Sequence, residues 1–104
     1  MGKFVLAYHG GSMPESEAEQ AEVMAAWGSW FEGLGSAVVD GGNPISQAKT
    51  VASDGSAADG GGTNPLSGYS LVNADSLDAA VDIAKGCPVL AGGGNVEVCE
   101  TIDM

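Results

Sequence analysis

The chain contains no arginine, and its only strong cations are three lysines set against fourteen acidic residues, for a net charge of −11. Such a surface repels phosphate backbones and anionic lipid headgroups, because all of them carry negative charge. The guanidinium group that usually clamps carboxylates and phosphates is also missing. The composition therefore predicts that the protein binds neither nucleic acid nor membranes.

Metal ligands and long apolar runs are scarce as well. The single histidine, His9, and the two cysteines, Cys87 and Cys99, lack the spacing of a zinc site. We expect no metal, no cofactor and two free thiols. Gly, Ser or Asp interrupts every apolar stretch well before the roughly 20 residues that a membrane-spanning helix needs. The first residues lack the features of a secretory signal, so we expect a cytoplasmic protein.

The length of 104 residues and the hydrophobic content of 44% suit one core and one domain, residues 1–104. Strand patterns cover residues 3–9, 36–40, 68–74 and 95–102. Residues 48–52 form a short extended segment that could prolong the second strand. The polar, glycine-rich stretch 53–67 is predicted to be a long exposed loop, either mobile or a lid.

Two helices are predicted between these strands. The first begins at the capping box of Ser16 and Glu19, and glycines 33 and 35 end it. Its apolar residues recur at helical spacing, so we expect them to form one buried stripe; they are Val23, Met24, Trp27, Trp30, Phe31 and Leu34. The second helix begins near Asp75 or Ser76, directs Leu77, Ala80, Val81 and Ala84 inward, and ends at residues 85–88.

The resulting order, β-α-β-β-α-β, is that of an α+β protein with the ferredoxin-like arrangement. Both helices would cover one face of a four-stranded antiparallel sheet. The other face would carry apolar residues among polar ones, which favours a homodimer in which a second copy packs there.

Several segments resemble the YCII-related family, which includes the DGPF-type (YciI-like) sequences, over nearly the whole chain. They are Phe4-Val5-Leu6-Ala7-Tyr8-His9-Gly10-Gly11, Met24-Ala25-Ala26-Trp27-Gly28-Ser29-Trp30-Phe31, Val39-Asp40-Gly41-Gly42-Asn43-Pro44, Gly68-Tyr69-Ser70-Leu71-Val72, Asp75-Ser76-Leu77-Asp78-Ala79-Ala80, Gly86-Cys87-Pro88 and Gly93-Gly94-Asn95-Val96-Glu97-Val98. The resemblance implies a ferredoxin-like protomer and a dimeric αβ barrel.

The resemblance implies less about activity. In some members a His–Asp pair is proposed as the active site, and one relative looks like a dehydrochlorinase of a chlorinated aromatic. The family histidine lies on the first helix, near the position of Met24 or Trp27 in this chain. The Asp-Gly-Pro-Phe segment is replaced here by residues 54–65.

The residues that could carry chemistry are few. His9, at a strand end beside two glycines, could act as a general base, and Asp40 ends the second strand. Asp40 is more often a turn carboxylate that accepts from the amides of Gly42 or Asn43. We expect the first two strands to be antiparallel, which places His9 and Asp40 at opposite edges of the sheet. A dyad within one protomer is therefore disfavoured, and only a contact across the dimer could bring the two side chains together.

Aromatic residues provide the candidate ligand-binding group. Trp27 and Trp30 fit a core, yet together with Tyr8, Tyr69 and Asn43 they could instead line a flat aromatic pocket. Two hypotheses follow: a protein that binds a small molecule in a pocket at the dimer or sheet edge, or a cofactor-free lyase or isomerase with His9 as acid or base. The position of His9 relative to the pocket discriminates between them.

Overall fold

The computed structural model describes residues 2–11, 14–62 and 65–102. These residues form six strands: β1 (Gly2–His9), β2 (Val38–Asp40), β3 (Lys49–Val51), β4 (Ala57–Asp59), β5 (Leu66–Ala74) and β6 (Asn95–Glu100). They also form helix α1 (Glu17–Leu34), helix α2 (Leu77–Ala84) and two 3-10 turns, Gly35–Ala37 and Pro88–Leu90. The predicted combination of two helices with a four-stranded antiparallel sheet is confirmed.

The four-stranded sheet has the order β2-β5-β1-β6, and each neighbouring pair is antiparallel. Since β1 and β2 both run antiparallel to β5, they are parallel to each other. The expectation that they are antiparallel is therefore wrong: the chain crosses over through α1, and β5 later inserts between the two strands. His9 pairs with Leu66 and Asp40 with Leu71. This offset of about 16 Å along β5 still separates them.

Alternation along β1 places Phe4, Leu6 and Tyr8 on the helix-covered face of the sheet, where all three are buried. The same core contains Val72, Ala74, Ala80, Ala84 and Cys87. Leu77, predicted to point inward from α2, is 43% exposed because it lies in the first helical turn, beyond the sheet. The core is thus small and centred on β1, β5 and α2.

Helix α1 begins where the capping box predicts, since Ser16 Oγ accepts from the Glu19 amide at 3.1 Å. Gly35 ends it with a positive φ of 56° and donates its N–H to the Phe31 carbonyl. The predicted buried stripe is wrong in degree: no described residue of α1 is fully buried, and Met24 is 62% exposed. Trp27 and Trp30 are half-buried against the core, and Trp27 and Phe31 also line a cavity beside the sheet.

Strands β3 and β4 form a separate two-stranded hairpin in which every residue is exposed. Its turn is closed by the Ala52 amide, which donates to the Ser56 carbonyl at 2.7 Å. Residues 48–52 therefore do not prolong β2. The segment 53–67 differs from a plain loop because it contains β4 and the start of β5.

Candidate functional site

A cavity of about 300 Å³ lies between α1 and the sheet. Helix α1 contributes Met24, Trp27 and Phe31 to its walls. Tyr8 and Val89 contribute too, together with residues 41–44 after β2 and residues 67–69 of β5. The lining is mostly apolar, and Asn43 and Ser67 are among its residues. This composition is typical of a small-molecule site.

The aromatic wall is continuous. Trp27 meets Tyr8 edge-on with 5.1 Å between ring centroids, and it contacts Phe31 at 6.0 Å. Tyr8 belongs to β1, whereas Trp27 and Phe31 belong to α1, so two different elements hold this wall of the cavity in place. Edge-on and tilted rings of this kind stabilise each other by about 0.5–1.5 kcal/mol per pair.

Glycines shape the opposite side, where the chain after β2 passes close to β5. Gly42 has a φ of 74°, and a Cβ there would lie within 3.1 Å of the Tyr69 ring and would clash with the Tyr69 carbonyl. A bridge joins Pro44 to Gly68. A larger residue at Gly42 would push this segment away from β5 and open the cavity.

A buried hydrogen-bond chain ties the cavity to the sheet. The Tyr8 hydroxyl donates to Ser70 Oγ at 2.7 Å, and Ser70 donates in turn to the Gly41 carbonyl at 2.7 Å. Burial raises the pKa of Tyr8 far above its usual 10.0, although the Ser70 hydrogen bond opposes this. Tyr8 is therefore a neutral phenol that positions β1, β5 and residue 41.

The buried thiol of Cys87 adjoins this network. Burial raises its pKa above the usual 9.0, while the backbone of Val89 lowers it. Since a thiolate is the nucleophilic form, the raised pKa and the burial of Cys87 favour a packing role. Both cysteines are free.

His9 lies on the other face of the sheet, because it follows Tyr8 in β1. It is only 5% exposed. Its Nδ1 lies 3.2 Å from the Pro65 carbonyl oxygen, and its Nε2 lies 3.1 Å from Glu97 Oε1. The imidazole thus links β1, β6 and the chain just before β5, and it does not line the cavity.

Asp40 and Trp30 also lie outside the cavity lining. Asp40 Oδ1 accepts from the Gly42 amide at 2.8 Å, the contact expected of a turn carboxylate. Trp30 packs beside Gly86, where an added Cβ would lie 3.2 Å from its Nε1. Asn43 is in the lining, and its amide donates to the Tyr69 hydroxyl at 3.4 Å.

Of the seven residues singled out from the sequence, the cavity brings together four: Tyr8, Trp27, Asn43 and Tyr69. Met24 and Phe31 were missed as lining residues. They lie three residues before and four residues after Trp27, so helical spacing places them on the same side of α1. The glycines at 41, 42 and 68 gave no comparable signal.

A groove of about 830 Å³ adjoins the cavity and shares Trp27, Ser67 and Val89 with it. Glu19 and Glu22 lie along it, as do glycines 10 and 11 at the end of β1. The cavity and the groove together form one continuous concave surface beside α1.

Elsewhere in the described ranges, no group of three or more His, Cys, Asp or Glu side chains could hold a metal ion. None of the helices described is long and apolar enough to span a bilayer.

No protein-family model matches the chain, and neither does any curated protein.

Proposed function

We propose that this protein binds a small molecule with a flat aromatic group in the cavity between α1 and the sheet. The observation that carries the proposal is the wall formed by Tyr8, Trp27 and Phe31 around a space of about 300 Å³. An aromatic ring there would gain contacts with these side chains and shed water from apolar surface. Ser67 and Asn43 could orient a polar substituent.

The alternative, a cofactor-free lyase or isomerase that uses His9, has less support. The described lining residues supply no carboxylate, imidazole or amine to the cavity. His9 contacts Glu97 on the opposite face. A general base must lie within about 3 Å of the proton that it removes, or one water away.

We also propose a ferredoxin-like protomer of the YCII-related type that forms a homodimer. The strand order β2-β5-β1-β6, with a helix after β1 and another after β5, supports the topology. The sequence segments quoted above support the family. The dimer is supported by the outer face of the sheet, where Val5 pairs with both Leu71 and Cys99 and all three are half-buried.

Intrinsic fluorescence tests the binding proposal, because the chain has two tryptophans and only Trp27 lines the cavity. In a Trp30→Phe variant, titration with the neutral compound 2-phenylethanol should change the emission of Trp27 saturably. In the matched Trp27→Phe variant, the response of Trp30 should be much smaller. Loss of the indole wall should also weaken binding by up to about tenfold, equivalent to about 1.4 kcal/mol. Equal responses in the two variants would contradict this site.

A further inference from the structure

The charged side chains around the cavity and groove have one sign. Glu19 and Glu22 lie one turn apart on α1 and both line the groove. They are the only ionisable carboxylates or amines among the described lining residues of the two concavities. Within the described residues, neither carboxylate belongs to an ion pair. A ligand in this surface therefore meets unneutralised negative charge.

The lysines lie elsewhere. Lys49 is in the hairpin, 3.4 Å from Asp59, and Lys85 follows α2, 3.3 Å from Asp82. Lys3 is near the start of β1, about 20 Å from the end of the strand that borders the groove. An anionic ligand would thus enter a protein of net charge −11 with no cation beside its site.

The aromatic wall favours a cation independently of the carboxylates. The faces of Trp, Tyr and Phe rings carry negative electrostatic potential and attract ammonium groups within about 6 Å. Trp27 lines both the cavity and the groove, so a ligand that extends from one into the other lies beside its indole. Aromatic rings and carboxylates together are the usual means of recognising organic cations.

We propose, on the basis of the binding function above, that the ligand is an aromatic amine. Its ring occupies the cavity beside Trp27, and its ammonium group points along the groove toward Glu22, which lies five residues or about 7.5 Å from Trp27 along the axis of α1, with Glu19 one turn further. The same arrangement discriminates against aromatic carboxylates, which would bring a second negative charge to these two side chains without a counter-ion.

Three probes with a common phenyl ring test the charge preference: 2-phenylethylamine, 2-phenylethanol and phenylacetate, each titrated into the dilute Trp30→Phe protein at pH 7. We expect the order amine, alcohol, carboxylate, with about a tenfold difference in Kd between the first and last. Added salt should reduce this difference, because the carboxylates are solvent-exposed.

Glu19→Gln and Glu22→Gln test the assignment of the residues. Each should weaken binding of the amine by about two- to fivefold and leave binding of the alcohol unchanged. Glu32→Gln is the matched control, since Glu32 is an exposed residue of α1 outside both concavities and its substitution changes the net charge equally. Circular dichroism checks that all three variants keep their helix content.

Three results would contradict the inference in distinguishable ways. If the alcohol binds but the amine binds no tighter than phenylacetate, the charge preference is wrong and the binding function stands. If none of the probes changes the emission of Trp27, the proposed function fails together with the inference. Equal weakening in Glu32→Gln would also reject the assignment, since the effect would then belong to net charge.

Discussion

Tyr8 and His9 are neighbours in β1, but strand alternation directs their side chains to opposite faces. The Tyr8 hydroxyl contacts Ser70 beneath the cavity, whereas the imidazole of His9 contacts Glu97 on the other side. His9, the better candidate for a general acid or base, is therefore separated from the cavity. Tyr8, which lines the cavity, already donates its hydroxyl proton to Ser70, and this suits a binding role better than a catalytic one.

Tyr8 and Cys87 make the folded state sensitive to alkaline pH. Burial raises the pKa of both groups above their usual values of 10.0 and 9.0, so the folded protein holds protons that the unfolded chain releases. Their contribution to stability is complete below about pH 9 and is lost as pH rises further. The loss is at most about 1.4 kcal/mol per pH unit for each group.

Urea unfolding between pH 7 and pH 10.5 measures this dependence. The midpoint should fall above pH 9, and Tyr8→Phe should flatten the fall above pH 10 because Phe has no proton to release. Cys87→Ala should flatten the earlier part. A midpoint that declines equally in the wild type and both variants would show that other groups are responsible.

Residues close together in the sequence predict the start of α1 but not the hairpin of β3 and β4. Ser16 predicts the start of α1 because an N-cap bond needs only residues within one turn. The sequence does not predict the hairpin, because the turn signal Asp54-Gly55 lies within a polar, glycine-rich stretch whose composition is typical of a loop. Asp54 Oδ1 accepts from the Ser56 amide at 2.9 Å in that turn.

Features that depend on distant contacts could not be read in this way. The parallel relation of β1 and β2 arises only because β5, which lies much later in the chain, pairs with both. Helical spacing identified the side of α1 that carries Trp27, but it gave no distance between that side and the sheet. The cavity exists because of the separation between α1 and the sheet, so the sequence predicts its lining residues only in part.

The hairpin of β3 and β4 should be separable from the rest of the protein. All residues of its two strands are exposed, and its ends are joined by the Gly60 amide, which donates to the Ala48 carbonyl at 2.9 Å. Replacing residues 49–59 by Gly-Gly should therefore change Tm by only a few degrees, as expected for about 1 kcal/mol or less.

Thermal unfolding and 2-phenylethanol binding of the shortened chain check this prediction, with hydrogen exchange of the intact protein alongside. Amides of β3 and β4 should exchange much faster than those of β1 and β5. Slow exchange in the hairpin, or unfolding after its removal, would contradict the prediction and show that the hairpin is part of the cooperative fold.

At the scale of the whole molecule, net charge and shape bear on assembly. Copies with a charge of −11 repel one another over most of their surface. On the outer face of the sheet, Leu71, Val5 and Cys99 form an uncharged row across three strands, with Glu97 beside it. The radius of gyration is 14.9 Å, against about 13 Å expected for a compact domain of this size. The uncharged row is therefore the place where the proposed homodimer would join two copies.

Leu71→Glu tests whether this face joins two copies. Light scattering of the wild type at micromolar concentration should give twice the chain mass of 10.3 kDa, and the variant should shift toward a monomer because a carboxylate would be buried without a partner. Leu77→Glu is the matched control, since Leu77 is 43% exposed on α2, away from this face, and receives the same change in charge. The Leu77→Glu variant should stay dimeric.

A wild type of 10.3 kDa would refute the dimer outright. Equal dissociation of both variants would show that repulsion between acidic copies, rather than contact through Leu71, sets the assembly.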